Sequence, residues 1–368
     1  MALRAKPRAT RAAPALFLAL FLALFLAQSF HARAETPDYA GFGGAVFLPY
    51  LNAPPPGQPI TRRPRLGVSF GGETRAALLD TGSTSVVVSA RLIPNVSALP
   101  QLGAGELVYS GSGRIARGTW VMSPVTLSGA GGAKITTRPL PVLAVSDLGC
   151  LPKARFCRPR RHPRDVAVIG VGFAREHDHQ SFGTPDHNPF LALPGMGEPG
   201  RLGAVRRGYV VRRDGVLVGL DAANAAGFSF VKLEKDPLYP DWAAVPACIS
   251  IAGRLPPACG TLLMDTGAGK MYLRLPTLQR EGVSAAGKSP VLAAGTSVDV
   301  TVSGAPGISY AFSVGAPANP LVPDGAILAG DAANPKPFVN TSFHMLNGFD
   351  YLYDADGGFA GFRARQGR

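Results

Sequence analysis

The sequence predicts an all-β protein built from two similar lobes, on three observations. Short runs rich in Val, Leu, Thr and Phe alternate with turn residues, 45 Gly and 34 Pro in 368 residues, and long helical periodicity is scarce. "AALLDTGSTSVVV" (76–88) is echoed by "TLLMDTGAGKMYL" (261–273): an apolar run, Asp-Thr-Gly, a small residue and a second apolar stretch. "VAVIGVGF" (166–173) follows the first copy and "GAILAGDAA" (325–333) the second, each reading as an apolar–glycine strand downstream of its aspartate. A duplicated β lobe accounts for both correspondences.

The start of the chain is set apart from the fold. Arg4, Lys6, Arg8 and Arg11 precede "AAPALFLALFLALFLA" (12–27), and "HARAE" (31–35) offers small residues before a cut ahead of Glu35. This is the layout of a secretory signal peptide over 1–34. The apolar run falls short of the ~20 residues of a membrane-spanning helix, and an uncleaved anchor is the alternative. The remaining chain divides into an N-terminal lobe, 35–222, and a C-terminal lobe, 223–368, each with one Asp-Thr-Gly. The mature protein is expected to be a secreted or periplasmic monomer without membrane attachment.

Removal of 1–34 takes five positive charges and no negative ones from a net charge of +13, leaving +8. The remaining cations are scattered apart from "PKARFCRPRRHPR" (152–164), which has neither helical spacing nor interleaved aromatics and reads as a solvated loop. Nucleic-acid binding is not expected. Four cysteines in an exported chain, close in pairs, point to two local disulfides, Cys150–Cys157 and Cys248–Cys259. Neither pair has the short C-x2–4-C spacing of a structural zinc site.

Taken together, the two Asp-Thr-Gly loops resemble those of the pepsin-like aspartic proteases, and the likeness extends motif by motif over nearly all the mature chain. "RPRLGVSFGGETRAALLDTGST" (63–84) looks like that family's hairpin into its first catalytic loop. "LVYSGSGRIARGTWV" (107–121) is similar to its flap, with Tyr109, Gly111 and Gly113 at the substrate-covering tip. "GYVVRRDGVLVGLD" (208–221) and "FDYLYDADGGFAGFR" (349–363) resemble the strands that close each lobe. The resemblance implies a bilobal fold and an aspartic endopeptidase with Asp80 and Asp265 as its catalytic pair. It needs no cofactor or metal, and a peptide or protein substrate would lie in the interlobe cleft. Two carboxyls held close share one proton, so that one activates water while the other hydrogen-bonds the scissile carbonyl.

The neighbours carry implied roles as well. Thr81 and Thr266 would bond across the lobe junction. Gly82 and Gly267 would permit tight turns, and Ser83 would donate to the outer oxygen of Asp80. Three departures from the family pattern stand out. Ala268 replaces a frequent hydroxyl, which leaves Asp265 short of one donor. Val87 takes the place of a tryptophan that usually bonds the flap tyrosine, so Tyr109 is expected to sit loosely. Only 45 residues separate the cleavage site from Asp80, too few for the usual inhibitory prosegment. A catalytically inactive, pepsin-fold binding protein is the alternative reading.

Two other motifs compete. "GVSFG" (67–71) matches a nucleophile elbow around Ser69, but a turn and a strand follow where the elbow needs a helix. "REHDHQSFGTPDH" (175–187), with His177, His179 and His187, could hold a metal, but its Gly, Pro and Asp content reads as an exposed loop.

Overall fold

The computed structural model describes Met1 and residues 35–365, apart from 153, 155, 156, 179, 181, 199, 281–284, 287–290 and 331–335. The signal peptide, His179 and part of the basic loop therefore lie outside the described residues. Strand β1 (Val46–Pro49) comes first. There follow β2 (Arg65–Ser69), β3 (Arg75–Asp80), β4 (Thr84–Ser89), β5 (Gln101–Tyr109), β6 (Arg114–Ser123), β7 (Thr126–Ser128), β8 (Lys134–Thr136), β9 (Leu140–Cys150), β10 (Arg160–Arg161) and β11 (Ala167–Val171). These ten make one sheet in the order β5-β6-β9-β4-β11-β3-β2-β7-β8, with β10 on β9.

Strands β12 (Arg206–Val211), β13 (Gly215–Leu220) and β14 (Ser229–Lys232) come next. A second sheet is then built from β15 (Val245–Ile251), β16 (Ala258–Leu263), β17 (Met271–Arg274), β18 (Ala285–Ala286), β19 (Val291–Leu292), β20 (Ser297–Val302), β21 (Ser309–Ser313), β22 (Ala326–Leu328) and β23 (Phe338–Asn340). Its order is β18-β19-β22-β17-β23-β16-β15-β20-β21. Matched place by place, this repeats the first sheet: the strand into each Asp-Thr-Gly, the strand out of it and every neighbour hold equivalent positions. The chain closes with β24 (Phe349–Asp354) and β25 (Phe359–Ala364). These join β1, β12, β13 and β14 in a third sheet, β1-β13-β12-β24-β25-β14, to which each half contributes three strands.

The repeat corrects one sequence correspondence. Strand β11 runs parallel to β3 and antiparallel to β4. In the second sheet that place belongs to β23, parallel to β16 and antiparallel to β17. The "GAIL" segment forms β22, parallel to β17 as β9 is to β4. It is the partner of β9 and not of β11. The mismatch arose because β23, "FVN", ends in asparagine and so lacks the glycine that marked β11.

Burial follows residue type. Strand β4, "TSVVVS", is buried along its whole length between β9 and β11, as β-branched residues favour. Strand β20, "SVDVTV", strictly alternates exposed and buried positions, as a strand with one solvated face does. The third sheet braces the first Asp-Thr-Gly from behind. Tyr209 donates its hydroxyl to the Val171 carbonyl at the end of β11, and the Tyr353 ring stacks on Phe173 at 4.2 Å.

Both local cysteine pairs are joined as disulfides. Cys150–Cys157 closes the loop that follows β9, and Cys248–Cys259 links residues directly opposite on β15 and β16. Ser69 ends β2 in a turn to β3, so no helix follows it. His177 pairs with Asp236 at 2.5 Å, whereas His187 is buried against Trp120 and Phe182.

One buried carboxyl makes the fold's stability depend on pH. Glu176 is 6% exposed, and among the described residues neither carboxyl oxygen has a hydrogen-bond partner outside its own residue. Burial, reinforced by the charges of Asp241 and Asp236, pushes it up to about 7 against an opposing bond to its own backbone. The unfolded chain releases this proton near 4.5. Stability from this group is thus complete below that pH and is lost as pH rises toward 7. Glu176→Gln is expected to melt about 2–5 °C above the wild type at pH 8, and within about 1 °C of it at pH 4. Thermal denaturation monitored by circular dichroism at the two pH values checks this.

Candidate active site

Asp80 is the last residue of β3, and Asp265 follows β16 by two residues. Each therefore sits where a strand breaks into the turn made by Thr-Gly and a small residue. The turns meet face to face. Thr81 N–H donates to Thr266 Oγ1 at 3.0 Å, and Thr266 N–H donates to Thr81 Oγ1 at 2.9 Å. Each hydroxyl in turn donates to the opposite strand, Thr81 Oγ1 to the Met264 carbonyl (2.5 Å) and Thr266 Oγ1 to the Leu79 carbonyl (2.7 Å).

The glycines permit a closer approach than any other residue would. A Cβ on Gly82 would lie 2.5 Å from the carboxyl carbon of Asp265, and one on Gly267 would lie 2.3 Å from Asp80 Oδ1. Each turn thus rests against the other's carboxylate, and a methyl group on either side would separate them.

Both carboxyls are nearly buried, Asp80 at 5% and Asp265 at 8% exposed. Asp80 Oδ1 accepts from Gly82 N–H (2.8 Å), and its Oδ2 lies 2.6 Å from Ser83 Oγ. Asp265 Oδ1 accepts from Gly267 N–H at 2.7 Å. Ala268 contributes its carbonyl, which accepts from Phe343 N–H, and has no hydroxyl to offer. The expected gap in donors at Asp265 is nonetheless filled, because Asn340 Nδ2 donates to Asp265 Oδ2 at 2.5 Å. Burial first, and the charge of Asp265 second, push Asp80 up to about 7 against the bonds from Ser83 and Gly82. Two buried carboxyls in contact retain one proton between them.

The flap lies over this pair. Tyr109 ends β5 with its hydroxyl buried and, among the described residues, without a hydrogen-bond partner. Burial and the nearby Asp80 charge hold the phenol neutral. Val87 does not leave this side chain loose. Val87, Leu107, Ala116, Trp120, Leu143, Val145 and Leu148 form one apolar cluster, and Tyr109 packs against it. The indole of the cluster comes from β6, as Trp120. At the tip, the Gly111 carbonyl accepts from Tyr272 Oη of β17 at 3.4 Å, and the Gly113 carbonyl accepts from Leu151 N–H at 2.8 Å inside the Cys150–Cys157 loop. The flap is held from the second lobe on one side and from a disulfide loop on the other.

Sequence reading missed four contributors. Asn340 was hidden by the misplaced repeat. Tyr272 read only as a β residue, and burial followed by the Asp265 charge raises its phenol as well. Gln180 is buried, accepting from Thr84 N–H at 3.1 Å and donating to the Gly82 carbonyl at 3.3 Å. Arg63 donates to the Gly267 carbonyl at 3.2 Å. None of the last three carries a local signal, since each acts across a long sequence separation.

The paired threonines set the separation of the two carboxyls. Thr81→Val and Thr266→Val each keep the side-chain volume but leave a buried N–H and carbonyl unpaired. Each is expected to cost about 2–4 kcal/mol. The double variant should cost less than the sum of the two, because they share partners. Urea unfolding of the three variants measures both quantities.

No protein-family model matches the chain, and no curated protein matches it in sequence. Among solved structures it is similar to the aspartic proteinase from Irpex lacteus. The two are 15% identical with a TM-score of 0.52, over 82% of this chain and 94% of that one. With the strand orders above, that likeness shows the fold: nearly all-β and bilobal, the fold of a pepsin-like aspartic proteinase.

Proposed function

We propose that the protein is an exported aspartic endopeptidase in which Asp80 and Asp265 are the catalytic dyad. The observation that carries this reading is the pair of buried carboxyls, each packed on the other's glycine and each holding a hydrogen-bonded oxygen on either side. The fold likeness to an aspartic proteinase supports it.

The chemistry uses the shared proton. The ionised carboxylate takes a proton from water as the water oxygen bonds to the scissile carbonyl carbon, and the protonated carboxyl gives its proton to the carbonyl oxygen. The resulting gem-diol returns one proton to the carboxylate just formed. The C–N bond then breaks as the other carboxyl protonates the leaving nitrogen, and the dyad regains its starting charge. An extended peptide would lie between the lobes, 35–222 and 223–368, bonded as a strand and covered by Tyr109, Gly111 and Gly113. The unpartnered Tyr109 hydroxyl offers such a substrate a hydrogen bond. A signal peptide over 1–34 and the two disulfides support a secreted or periplasmic location.

Mature protein incubated with a mixed peptide library from pH 3 to 8 is expected to cleave internal bonds. The alkaline limb should fall near pH 7, where the dyad loses its shared proton. Asp80→Asn and Asp265→Asn should each lower kcat/KM by at least about 10³-fold with little change in melting temperature. A pepstatin-type transition-state analogue should bind the wild type far more tightly than either variant. Full activity in either variant would refute the assignment. Peptide binding without cleavage would identify a pepsin-fold binding protein instead.

A further inference from the structure

The two carboxyls of the pair do not have equivalent partners. Asp80 Oδ1 faces a backbone N–H, which can only donate, but its Oδ2 faces Ser83 Oγ, a hydroxyl that serves a carboxylate as donor and a carboxylic acid as acceptor. At Asp265 neither oxygen has that freedom. Oδ1 faces Gly267 N–H and Oδ2 faces the Asn340 amide. The orientation of that amide is settled by its other end. Ser342 N–H can only donate and lies 3.1 Å from Asn340 Oδ1, so the NH2 group must be the one that meets Asp265.

We propose that Asn340 is a positioning residue that polarises the dyad, keeping the ionised carboxylate on Asp265 and the shared proton on Asp80. The proposal rests on the reading of the two aspartates as a proton-sharing pair. Two obligate donors favour the charged form of Asp265, whereas Asp80 keeps both its hydrogen bonds when protonated, because Ser83 can turn. Asp265 is then the group that takes the proton from water, and Asp80 is the acid at the carbonyl oxygen.

The other groups facing the pair do not reverse the assignment. Tyr109 on the flap and Tyr272 on β17 stay neutral, since both phenols are raised. Arg63, exposed, reaches only the Gly267 carbonyl. Arg114 stands opposite Tyr109 on the flap hairpin. Asp324 packs at Gly269 with His344 as its partner at 3.2 Å, one turn beyond Asp265. All of these are unchanged when only Asn340 is varied.

The same argument changes the expectation for Ala268. Ser83 stands three residues after Asp80 and reaches its Oδ2 at 2.6 Å, so a serine three residues after Asp265 has equivalent reach. With Asn340 in place that hydroxyl is redundant, and without Asn340 it is a substitute.

The test is a carboxyl-carbon NMR titration of the mature protein labelled with [γ-13C]aspartate, the two resonances assigned by their loss in Asp80→Asn and Asp265→Asn. In the wild type, Asp265 is expected to ionise at lower pH and Asp80 at higher pH. Asn340→Ala should raise the Asp265 midpoint by about one pH unit, a tenfold change in its ionisation constant. Ala268→Ser in that background should return most of the shift, but alone should move the wild type by only about 0.3 unit or less. The acid limb of peptide cleavage should move in the same order. A merely structural role for Asn340 would lower the melting temperature without a midpoint shift that Ala268→Ser reverses. Asp80 ionising first in the wild type, or an Asp265 midpoint unmoved in Asn340→Ala, overturns the proposal. The wild-type order decides the matter even where Asn340→Ala does not fold. Because the titration needs no turnover, a protein that titrates as expected but cleaves nothing would refute the proposed activity and leave this assignment standing.

Discussion

The rest of the site depends on the four hydrogen bonds between Thr81 and Thr266 and the strands they face. Both threonines are buried, so every donor and acceptor they carry must be satisfied within the protein. Each hydroxyl accepts one backbone N–H and donates to one carbonyl of the opposite lobe. That saturates the side chain and leaves a single register in which the two loops fit. The carboxyls inherit their spacing from this tie. So does the contact of each with the other turn's glycine, which a slip of an ångström would open or crush.

The flap is governed by a different balance. Tyr109 is located by apolar contact with the cluster around Trp120 and not by a hydrogen bond to its hydroxyl. Such packing fixes a ring well and leaves its polar end available, at the cost of burying an unsatisfied donor. The anchors at the tip are weaker. A 3.4 Å bond to Tyr272 and one backbone bond into the Cys150–Cys157 loop close the hairpin over the pair. Covalent restraint is thus placed in the loop beside the flap, while the contact with the second lobe remains one that a bound chain could replace.

What the sequence disclosed follows from how local each signal is. Both aspartates, their glycines and the threonines lie in contiguous repeats, so their type and spacing could be read directly. The flap hairpin and the disulfide pairs were legible for the same reason. The β23 correspondence was not. Strand β23, "FVN", carries no glycine, and the nearest apolar–glycine run in the sequence belongs to β22. Tyr272, Gln180 and Arg63 act through contacts 96 to 204 residues away, and no periodicity reports such pairings. Val87, in place of the tryptophan, shares an apolar cluster with Trp120 from another strand, and Tyr109 packs against that cluster. A substitution read at one position in a packed cluster has a meaning only when the cluster's other members are known.

The duplicated architecture makes the asymmetry of the pair informative. Two sheets with the same strand order present the two aspartates in equivalent frames. Backbone donors, glycine contacts and threonine ties are repeated on both sides, and terms of that kind cannot decide which carboxyl ionises. The decision falls to the few positions where the halves differ. Ser83 faces Ala268 across the repeat, and the glycine-bearing β11 faces a β23 that ends in Asn340. A hydroxyl tolerates either protonation state and a primary amide held by Ser342 does not. One such exchange, between groups of nearly the same reach, suffices to turn two equivalent carboxyls into an acid and a base while leaving the frame that holds them unchanged.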